Sequence, residues 1–342
     1  MNYIKTVDAV GHVLCHDMTQ IIVGEYKDAR FRKGHVVREE DIPILLSMGK
    51  EQLYVWEQRE GMLHENDAAV RLATLCGEEN FLWSDVKEGK IELRAACDGL
   101  FLVDSARLRA VNNQEQLMIA TRHGNTAVKQ GDKLAGTRII PLVIEETALA
   151  EAEAMVGTAP LLKLCPFVRK TAAIVTTGGE VKSGRIQDTF TPVVVKKLQA
   201  YGIAVIAHCY SGDGVDNVAD CIAQMRETGA DMIICTGGMS VDPDDNTPGG
   251  ITKSGAKVVT YGAPVLPGAM FCLGYFADNT PVMGLPGCVM YAGATIFDLV
   301  LPKIAADVKI AREDVTGLGE GGLCLGCDVC HYPICPFGKA TL

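Results

Sequence analysis

Two glycine-centred loops carry the residues best suited to chemistry. The first is the segment TTGGE at 176–180, and the second is the segment TGGMS at 236–240. Each follows an apolar run typical of a buried strand, 172–175 before the first loop and 232–235 before the second. In an open parallel sheet, ligands bind at the carboxyl ends of the strands, and glycine lets backbone N–H groups approach them. The spacing predicts one pocket for a phosphorylated or otherwise polar small molecule.

Acidic residues accompany both loops. Carboxylates are suitable hard ligands for Mg²⁺, and a glutamate can also move protons. Asp188 and Asp213 have a second interpretation as helix N-caps, because both lie just ahead of predicted helices. Asp245 has no comparable helix signature after it, which favours a role in the site. The acids near the loops are Glu180, Asp188, Asp213, Asp242, Asp244 and Asp245.

The elements that position these loops lie in residues 165–312. Strands and helices alternate there at short spacing, which predicts parallel strands joined by right-handed crossovers. A first helix is expected at about 191–201, with Thr191 as its cap. A second follows Asp213 and buries one face of Val218, Ile222 and Met225. A last helix is expected at about 289–304.

The fold class is therefore α/β, with a three-layer α/β/α domain around a mostly parallel sheet. Smaller β-rich and α+β units precede this domain, and a cysteine-rich tail follows it. The predicted boundaries are 1–59 for the β-rich N-terminal unit, 60–164 for the α+β unit, 165–312 for the α/β domain, and 313–342 for the tail.

Composition narrows the classes of partner. The formal net charge of −10 argues against a nucleic-acid partner, which needs clustered Lys and Arg. No run of about 18 apolar residues indicates a membrane span, and no signal peptide is evident at the start. Most of the 13 cysteines are scattered inside apolar runs, which fits a reducing cytoplasm better than a disulfide framework. The expectation is a cytoplasmic protein that binds a small metabolite.

Four cysteines crowd into the tail, at Cys324, Cys327, Cys330 and Cys335. Their spacing is close to the bacterial ferredoxin run that holds an iron–sulfur cluster, with four rather than three residues in the last gap. Zinc is a second interpretation, in which His331 replaces one thiol. A free or redox-active tail is a third.

Residues 171–305 resemble the molybdopterin-binding domain shared by bacterial molybdopterin adenylyltransferases and molybdenumtransferases. The resemblance rests on six motifs in order. They are Thr177-Gly178-Gly179-Glu180, Gly184-Arg185-Ile186-Gln187-Asp188, Gly212-Asp213, Gly237-Gly238-Met239-Ser240 with Asp245, Pro267-Gly268, and Gly284-Leu285-Pro286-Gly287.

This resemblance implies that the ligand is molybdopterin or its adenylylated form, together with Mg²⁺. It also implies a homo-oligomer, because relatives of this fold often assemble as dimers or trimers. The implied catalytic residues are Asp188, Asp213, Asp245 and Glu180. The implied ligand-binding residues are Thr177, Gly178, Gly179, Thr236, Gly237, Gly238, Ser240, Pro267, Gly268, Pro286 and Gly287.

Residues 33–49 are similar to a segment of the molybdenumtransferase branch, which implies a transferase that handles molybdate and serves a molybdoenzyme client. That branch places lysines around the Pro-Gly turn, where this chain has Leu266 and Ala269. A non-catalytic cofactor carrier or redox-responsive sensor is therefore one alternative. A hydrolase of nucleotide-sugar pyrophosphates is another, because a competence-related family uses the same fold.

Overall fold

The computed structural model describes residues 2–22, 26–55, 61–242 and 245–339. Its strands, in chain order, are β1 Asn2–Lys5, β2 Met18–Ile22, β3 Tyr26–Phe31, β4 Gln52–Val55, β5 Met62–His64, β6 Phe81–Trp83, β7 Lys90–Ala95, β8 Gly99–Val103, β9 Leu117–Thr121, β10 Thr126–Val128, β11 Lys133–Ile139, β12 Val143–Glu145, β13 Leu162–Pro166, β14 Thr171–Thr177, β15 Ala204–Ser211, β16 Met232–Thr236, β17 Lys257–Tyr261, β18 Cys272–Tyr275 and β19 Pro281–Leu285.

Helices separate these strands at intervals along the chain. They are α1 Asp41–Ser47, α2 Glu65–Thr74, α3 Ser105–Asn112, α4 Glu146–Val156, α5 Gly179–Lys182, α6 Phe190–Gln199, α7 Val215–Glu227, α8 Thr247–Lys253, α9 Ile296–Ala305 and α10 Arg312–Thr316, with short 3-10 helices at Thr6–Asp8 and Gly287–Met290. Within the described residues, no helix is long and apolar enough to cross a membrane.

The chain forms two compact units that interleave in sequence. The first unit takes residues 1–94, 106–122 and 133–163, and the second takes residues 95–105, 123–132 and 164–342. The division into four segments at 59, 164 and 312 stays a prediction.

The first unit is built from small antiparallel sheets. Its largest sheet has the strand order β6-β7-β11-β9, and three strand pairs, β1-β4, β2-β3 and β5-β12, accompany it. One small core beneath β2, β3 and α1 contains Leu14, Phe31, Leu45 and Leu53. This arrangement agrees with the β-rich and α+β character that the sequence predicts for the first part of the chain.

The second unit contains a six-stranded sheet with the order β15-β14-β16-β19-β18-β17. The first four strands run parallel, and β18 is antiparallel to both of its neighbours. Successive residues of β14 pack on opposite faces, with Ile174 in one core and Val175 in the other. Helices α6 and α9 cover the first face, and α7 and α8 cover the second. The predicted three-layer α/β/α fold is confirmed.

Local boundaries differ from prediction where capping decides them. Helix α9 begins at Ile296, not at about 289, because Thr295 and Asp298 form a reciprocal capping box at its start. Helix α6 begins at Phe190, so Thr191 lies inside the helix and does not cap it. Helix α7 buries Val218, Ile222 and Met225 as predicted.

The cysteines of the second unit include one pair that the sequence does not reveal. Cys209 of β15 and Cys221 of α7 form a disulfide. The expectation of cysteines without disulfides therefore misses this pair.

Candidate functional site

The two glycine loops meet at one edge of the six-stranded sheet. Thr176 of β14 is paired with Tyr210 of β15 on one side and with Thr236 of β16 on the other. Because these strands are parallel and in register, the loops that follow them leave from the same edge. The sequence prediction that both loops share one pocket edge agrees with this topology.

The backbone of the second loop requires glycine. Gly237 has a φ of +83° and Gly238 a φ of +59°, in the left-handed region. A Cβ atom on Gly237 would lie 2.7 Å from the carbonyl oxygen of Thr177, and one on Gly238 would lie 2.7 Å from Thr247 Oγ1. The two glycines therefore allow the second loop to pack directly against the end of β14.

Three threonines hold the loops together. Thr177 Oγ1 donates a hydrogen bond to the Thr236 carbonyl oxygen at 3.1 Å and lies 3.3 Å from Thr247 Oγ1. Thr247 Oγ1 in turn donates to the Gly237 carbonyl oxygen at 2.8 Å, and the Thr247 N–H donates to Gly238. These bonds fix the relative positions of the loops before any ligand arrives. The sequence prediction did not include Thr247, although its place at the start of α8 could have drawn attention to it.

A cavity of about 280 Å³ opens between the loops. It brings together three of the four predicted acids, Glu180, Asp213 and Asp245. No Lys or Arg is among its lining residues in the described part of the chain. The lining residues are Thr177, Gly178, Glu180, Gly212, Asp213, Gly214, Val218, Gly238, Asp245, Asn246 and Thr247.

Asp213 connects the first loop to the loop after β15. The Gly179 N–H donates to Asp213 Oδ1 at 3.1 Å, and a Cβ atom on Gly179 would lie 2.6 Å from Asp213 Oδ2. The N-cap of helix α7 is Gly214, so the N-cap interpretation of Asp213 is wrong. Lys182 lies beside this loop, because its Nζ would be 3.7 Å from a Cβ atom built on Gly212. Lys182 is a nearby cation that sequence reasoning missed.

Asp188 lies outside this set of lining residues and anchors helix α6. Its Oδ1 accepts hydrogen bonds from the N–H groups of Phe190 and Thr191, and its Oδ2 accepts one from Thr191 Oγ1 at 2.6 Å. Burial alone would raise the pKa of Asp188, but these bonds and one from Thr176 outweigh it and lower the pKa. The contacts are those of a capping residue, one position ahead of the N-cap Thr189.

His208 lies on the other side of Asp188. Its Nε2 is 2.8 Å from Thr176 Oγ1 and 3.8 Å from Asp188 Oδ2. Burial lowers the pKa of His208, and the nearby Asp188 carboxylate opposes that shift only in part. The polar group around Asp188 is therefore a carboxylate, two threonine hydroxyls and a mostly neutral imidazole.

We expect Asp188→Asn to lower the free energy of unfolding by about 2 kcal/mol at neutral pH, because it weakens the start of α6. The folded-state pKa of Asp188 is depressed, so its stabilising contribution is present above the ordinary value of 3.8 and is lost as the pH falls further. The stability difference between the native protein and the variant should therefore shrink in acid. Urea unfolding at several pH values measures it.

The exposed Asp220 on α7 provides a control, and Asp220→Asn should change stability by less than about 0.5 kcal/mol. A destabilisation by Asp188→Asn that did not vary with pH would contradict the capping role of the charge.

Asp245 lies in the cavity wall, directly before helix α8. That helix has Asn246 at its N-cap, without a side-chain capping bond, and Pro248 in its first turn, so a helix follows Asp245 although the sequence shows no comparable signature for it. The Asp245 N–H donates a hydrogen bond to the Asp242 carbonyl oxygen at 2.9 Å. Asp244 lies outside the described residues. Burial raises the pKa of Tyr261, and the charge of Asp245 adds to that shift.

The remaining predicted ligand-binding residues lie in three places, which are the second glycine loop, the end of β19 and the turn after β17. Thr236 is buried and Ser240 is exposed in the second loop. Pro286 and Gly287 follow β19 directly. Pro267 and Gly268 lie in the turn after β17, where a Cβ atom on Gly268 would lie 2.5 Å from Ile296 Cγ2. The last four residues are not part of the lining of the glycine-loop cavity.

The four tail cysteines line a second cavity, of about 240 Å³. His331 and Pro267 are also part of its wall. None of the four thiols is in a disulfide. In the described part of the chain, no group of three or more His, Cys, Asp or Glu side chains is arranged to hold a metal ion.

Comparison with known families gives two matches. Residues 173–306 match the family model described as "Probable molybdopterin binding domain", and residues 3–57 match a domain of unknown function, DUF8806. The predicted resemblance of residues 171–305 to the molybdopterin-binding domain is confirmed by the first match.

Individual relatives are distant or partial. A CinA-like protein of Desulfosudis oleivorans is 35% identical over 86 residues, which are 25% of this chain and 21% of that protein. The match thus spans only about a fifth of that curated relative. The Mog protein of molybdopterin biosynthesis from Mycobacterium ulcerans has 19% identity and a TM-score of 0.35, over 41% of this chain and 97% of that one. A molybdenum cofactor biosynthesis protein from Pyrococcus furiosus has 12% identity and a TM-score of 0.28, over 91% of this chain and 65% of that one.

Proposed function

We propose that the glycine-loop cavity binds molybdopterin or its adenylylated form during the biosynthesis, maturation or delivery of molybdenum cofactor. The observation that carries this proposal is the cavity itself, because two glycine loops and three carboxylates surround it within the segment matched by the molybdopterin-binding family model. The terminal phosphate of the ligand suits the backbone N–H groups of such loops.

Mg²⁺ fits this cavity as an ion shared with the ligand. The available donors are the carboxylates of Glu180, Asp213 and Asp245, which are hard oxygen ligands. Mg²⁺ usually keeps several waters and takes one or two carboxylates together with substrate phosphates. This mode agrees with a site in which the described residues alone form no metal cage. The ion would neutralise charge between the acidic wall and the phosphate.

Carriage of the cofactor is favoured over insertion of molybdate. Leu266 and Ala269 stand beside the Pro267-Gly268 turn, where the transferase branch has lysines. Leu266 is 57% exposed, and Pro267 belongs to the wall of the cysteine cavity. This turn therefore offers no cation to an oxyanion. A molybdenumtransferase-like activity, a molybdoenzyme client and a homo-oligomeric state remain proposals of lower rank.

The test is an anaerobic titration of the purified protein with molybdopterin and with its adenylylated form, each with and without Mg²⁺. Asp213→Asn and Asp245→Asn should each weaken Mg²⁺-dependent binding by about ten- to a hundredfold, because each removes a charged contact of about 1.5–3 kcal/mol. Asp216→Asn is the matched control, since its exposed side chain pairs with Lys253 and is not part of the cavity lining.

Failure of the native protein to bind either pterin would exclude the proposal. Binding followed by incorporation of added molybdate would show that the protein is a molybdenumtransferase and not only a cofactor carrier. The hydrolase alternative is checked on the same sample with a nucleotide-sugar pyrophosphate such as ADP-ribose. Steady release of AMP and ribose 5-phosphate would favour that alternative, and we expect no such release.

The tail adds a metal to this proposal, either an iron–sulfur cluster or zinc. Four thiols and one imidazole line a single cavity, and these are ligand types that bind zinc or an iron–sulfur cluster. A tail that is free or redox-active without metal is the remaining alternative.

A further inference from the structure

The cysteine cavity has the features of a site for a cluster rather than for a single ion. We propose that Cys324, Cys327, Cys330 and Cys335 hold a tetranuclear iron–sulfur cluster there. This inference selects one of the two metals in the proposed function, and it depends on no property of the pterin cavity.

Backbone contacts hold the tail in place without help from the thiols. The Leu266 N–H donates to the Gly322 carbonyl, and the Cys324 N–H donates to the Leu266 carbonyl, each at 2.8 Å. At the far end, Phe337 is buried and the Gly338 N–H donates to Gly321 at 3.0 Å. The tail is therefore a closed loop whose two ends meet.

The middle of this loop is attached to helix α9. The Tyr332 hydroxyl donates a hydrogen bond to the Asp298 carbonyl oxygen at 2.9 Å. The Tyr332 ring also makes an edge contact with Phe337, at 6.2 Å between centroids. The cysteines thus have a fixed frame before any metal binds, which reduces the entropy lost on binding.

The four thiols in the cavity wall differ in their exposure. Cys324 and Cys335 are half-buried and pack against the core, whereas Cys327 and Cys330 are exposed. Gly293 allows the close approach of one of them, because a Cβ atom on Gly293 would lie 2.9 Å from Cys330 Sγ. All four cysteines therefore belong to the wall of one cavity.

The size of the cavity favours a cluster over zinc. Zinc gathers four donors around one ion. Four thiols line a cavity of about 240 Å³, which is far larger than one ion needs. In a tetranuclear cluster each thiolate binds a different iron, so the sulfur atoms of the protein stand apart.

The rest of the wall suits a cluster as well. Apart from the thiols and His331, its described lining consists mainly of apolar and small residues, with no Asp, Glu, Lys or Arg among them. An apolar shell limits the access of water to a metal centre. The sequence spacing, with a proline after the last cysteine, is close to the ferredoxin run.

A preformed cluster can enter by ligand exchange. Each cysteine sulfur forms a bond to one iron as that iron loses a thiolate of the donor cluster, and the cysteine proton passes to the departing thiolate. No electron is transferred, so the step needs neither an oxidant nor a reductant.

The experiment transfers a synthetic tetranuclear cluster with small thiolate ligands to the full-length protein under anaerobic conditions. After gel filtration we expect about four iron and about four sulfide ions per chain, with the broad visible absorption of a cluster. Cys327→Ala/Cys330→Ala should lose most of this iron. Both side chains are exposed, so circular dichroism of the variant before loading should be unchanged.

Cys97→Ala is the matched control, because Cys97 is a partly exposed cysteine outside the cavity, and it should load fully. Cys335→Ala supplies an independent second variant and should also lose most of the iron. Equal loading of the native protein and the double variant would overturn the proposal. So would one zinc without iron in protein purified anaerobically from cells. Loss of pterin binding with normal iron loading would exclude only the proposed function.

Discussion

Gly237→Val is expected to reduce the affinity for molybdopterin by about ten- to a hundredfold. The valine Cβ would lie 2.7 Å from the Thr177 carbonyl oxygen, and the φ of +83° is unfavourable for any side chain. The loop must move away from β14, and the Thr177–Thr247 contacts that position it are then lost. Losing one or two N–H contacts to a phosphate accounts for about 1.5–3 kcal/mol. Isothermal titration with Mg²⁺ present measures the change.

Gly255→Val separates this effect from backbone strain. Gly255 has a φ of +93°, but a Cβ atom there meets nothing within 4 Å. Both variants should therefore lose stability through strain, of order 1–3 kcal/mol. Only Gly237→Val should lose affinity. Equal affinities of the two variants for molybdopterin would show that the second loop does not take part in ligand binding.

Phe297→Ala is expected to lower the free energy of unfolding by about 3–5 kcal/mol. Phe297 is fully buried in the core between α9 and the six-stranded sheet, together with Leu285 and Val300. Truncation removes a large apolar surface and leaves a cavity that a packed interior fills only in part. Urea unfolding followed by circular dichroism provides the measurement.

The comparison variant is Ile186→Ala, because Ile186 is 58% exposed. It should change the unfolding free energy by no more than about 0.5 kcal/mol. A loss below about 1 kcal/mol for Phe297→Ala would show that this helix is not part of the cooperative core.

The features that the sequence predicts correctly are those encoded locally. The face of Val218, Ile222 and Met225 repeats at helical spacing, so α7 and its buried side follow from pattern alone. The glycine loops follow apolar runs, and the parallel sheet then brings their ends to one edge. Asp213 in the loop after β15 and Asp245 in the segment after the second glycine loop are both found in the cavity wall, because the loops after parallel strands meet at one edge.

The features that escape prediction depend on partners distant in sequence. The sequence leaves Asp188 as a ligand or a cap, and it does not show that Thr176 of β14 also donates a hydrogen bond to its carboxylate. The bridge between Leu266 and Leu323 joins two segments that share no local pattern, and it brings Pro267 to the cysteine cavity instead of the glycine loops. A repeat of apolar side chains along one helix can be recognised in the sequence, whereas contacts between distant segments cannot.

The three-stranded sheet of the second unit is made of β10, β8 and β13, which come from well-separated parts of the chain. Helix α9 contacts both β8 and β10, and Leu100 of β8 is fully buried in the same core as Phe297. A gene fragment that began at residue 165 would encode the whole six-stranded sheet and yet leave this core uncovered. On the ribosome, β8 and β10 emerge long before α9. The second unit can therefore complete its core only after α9 has been synthesised, and until then its early strands lack the helix that covers them.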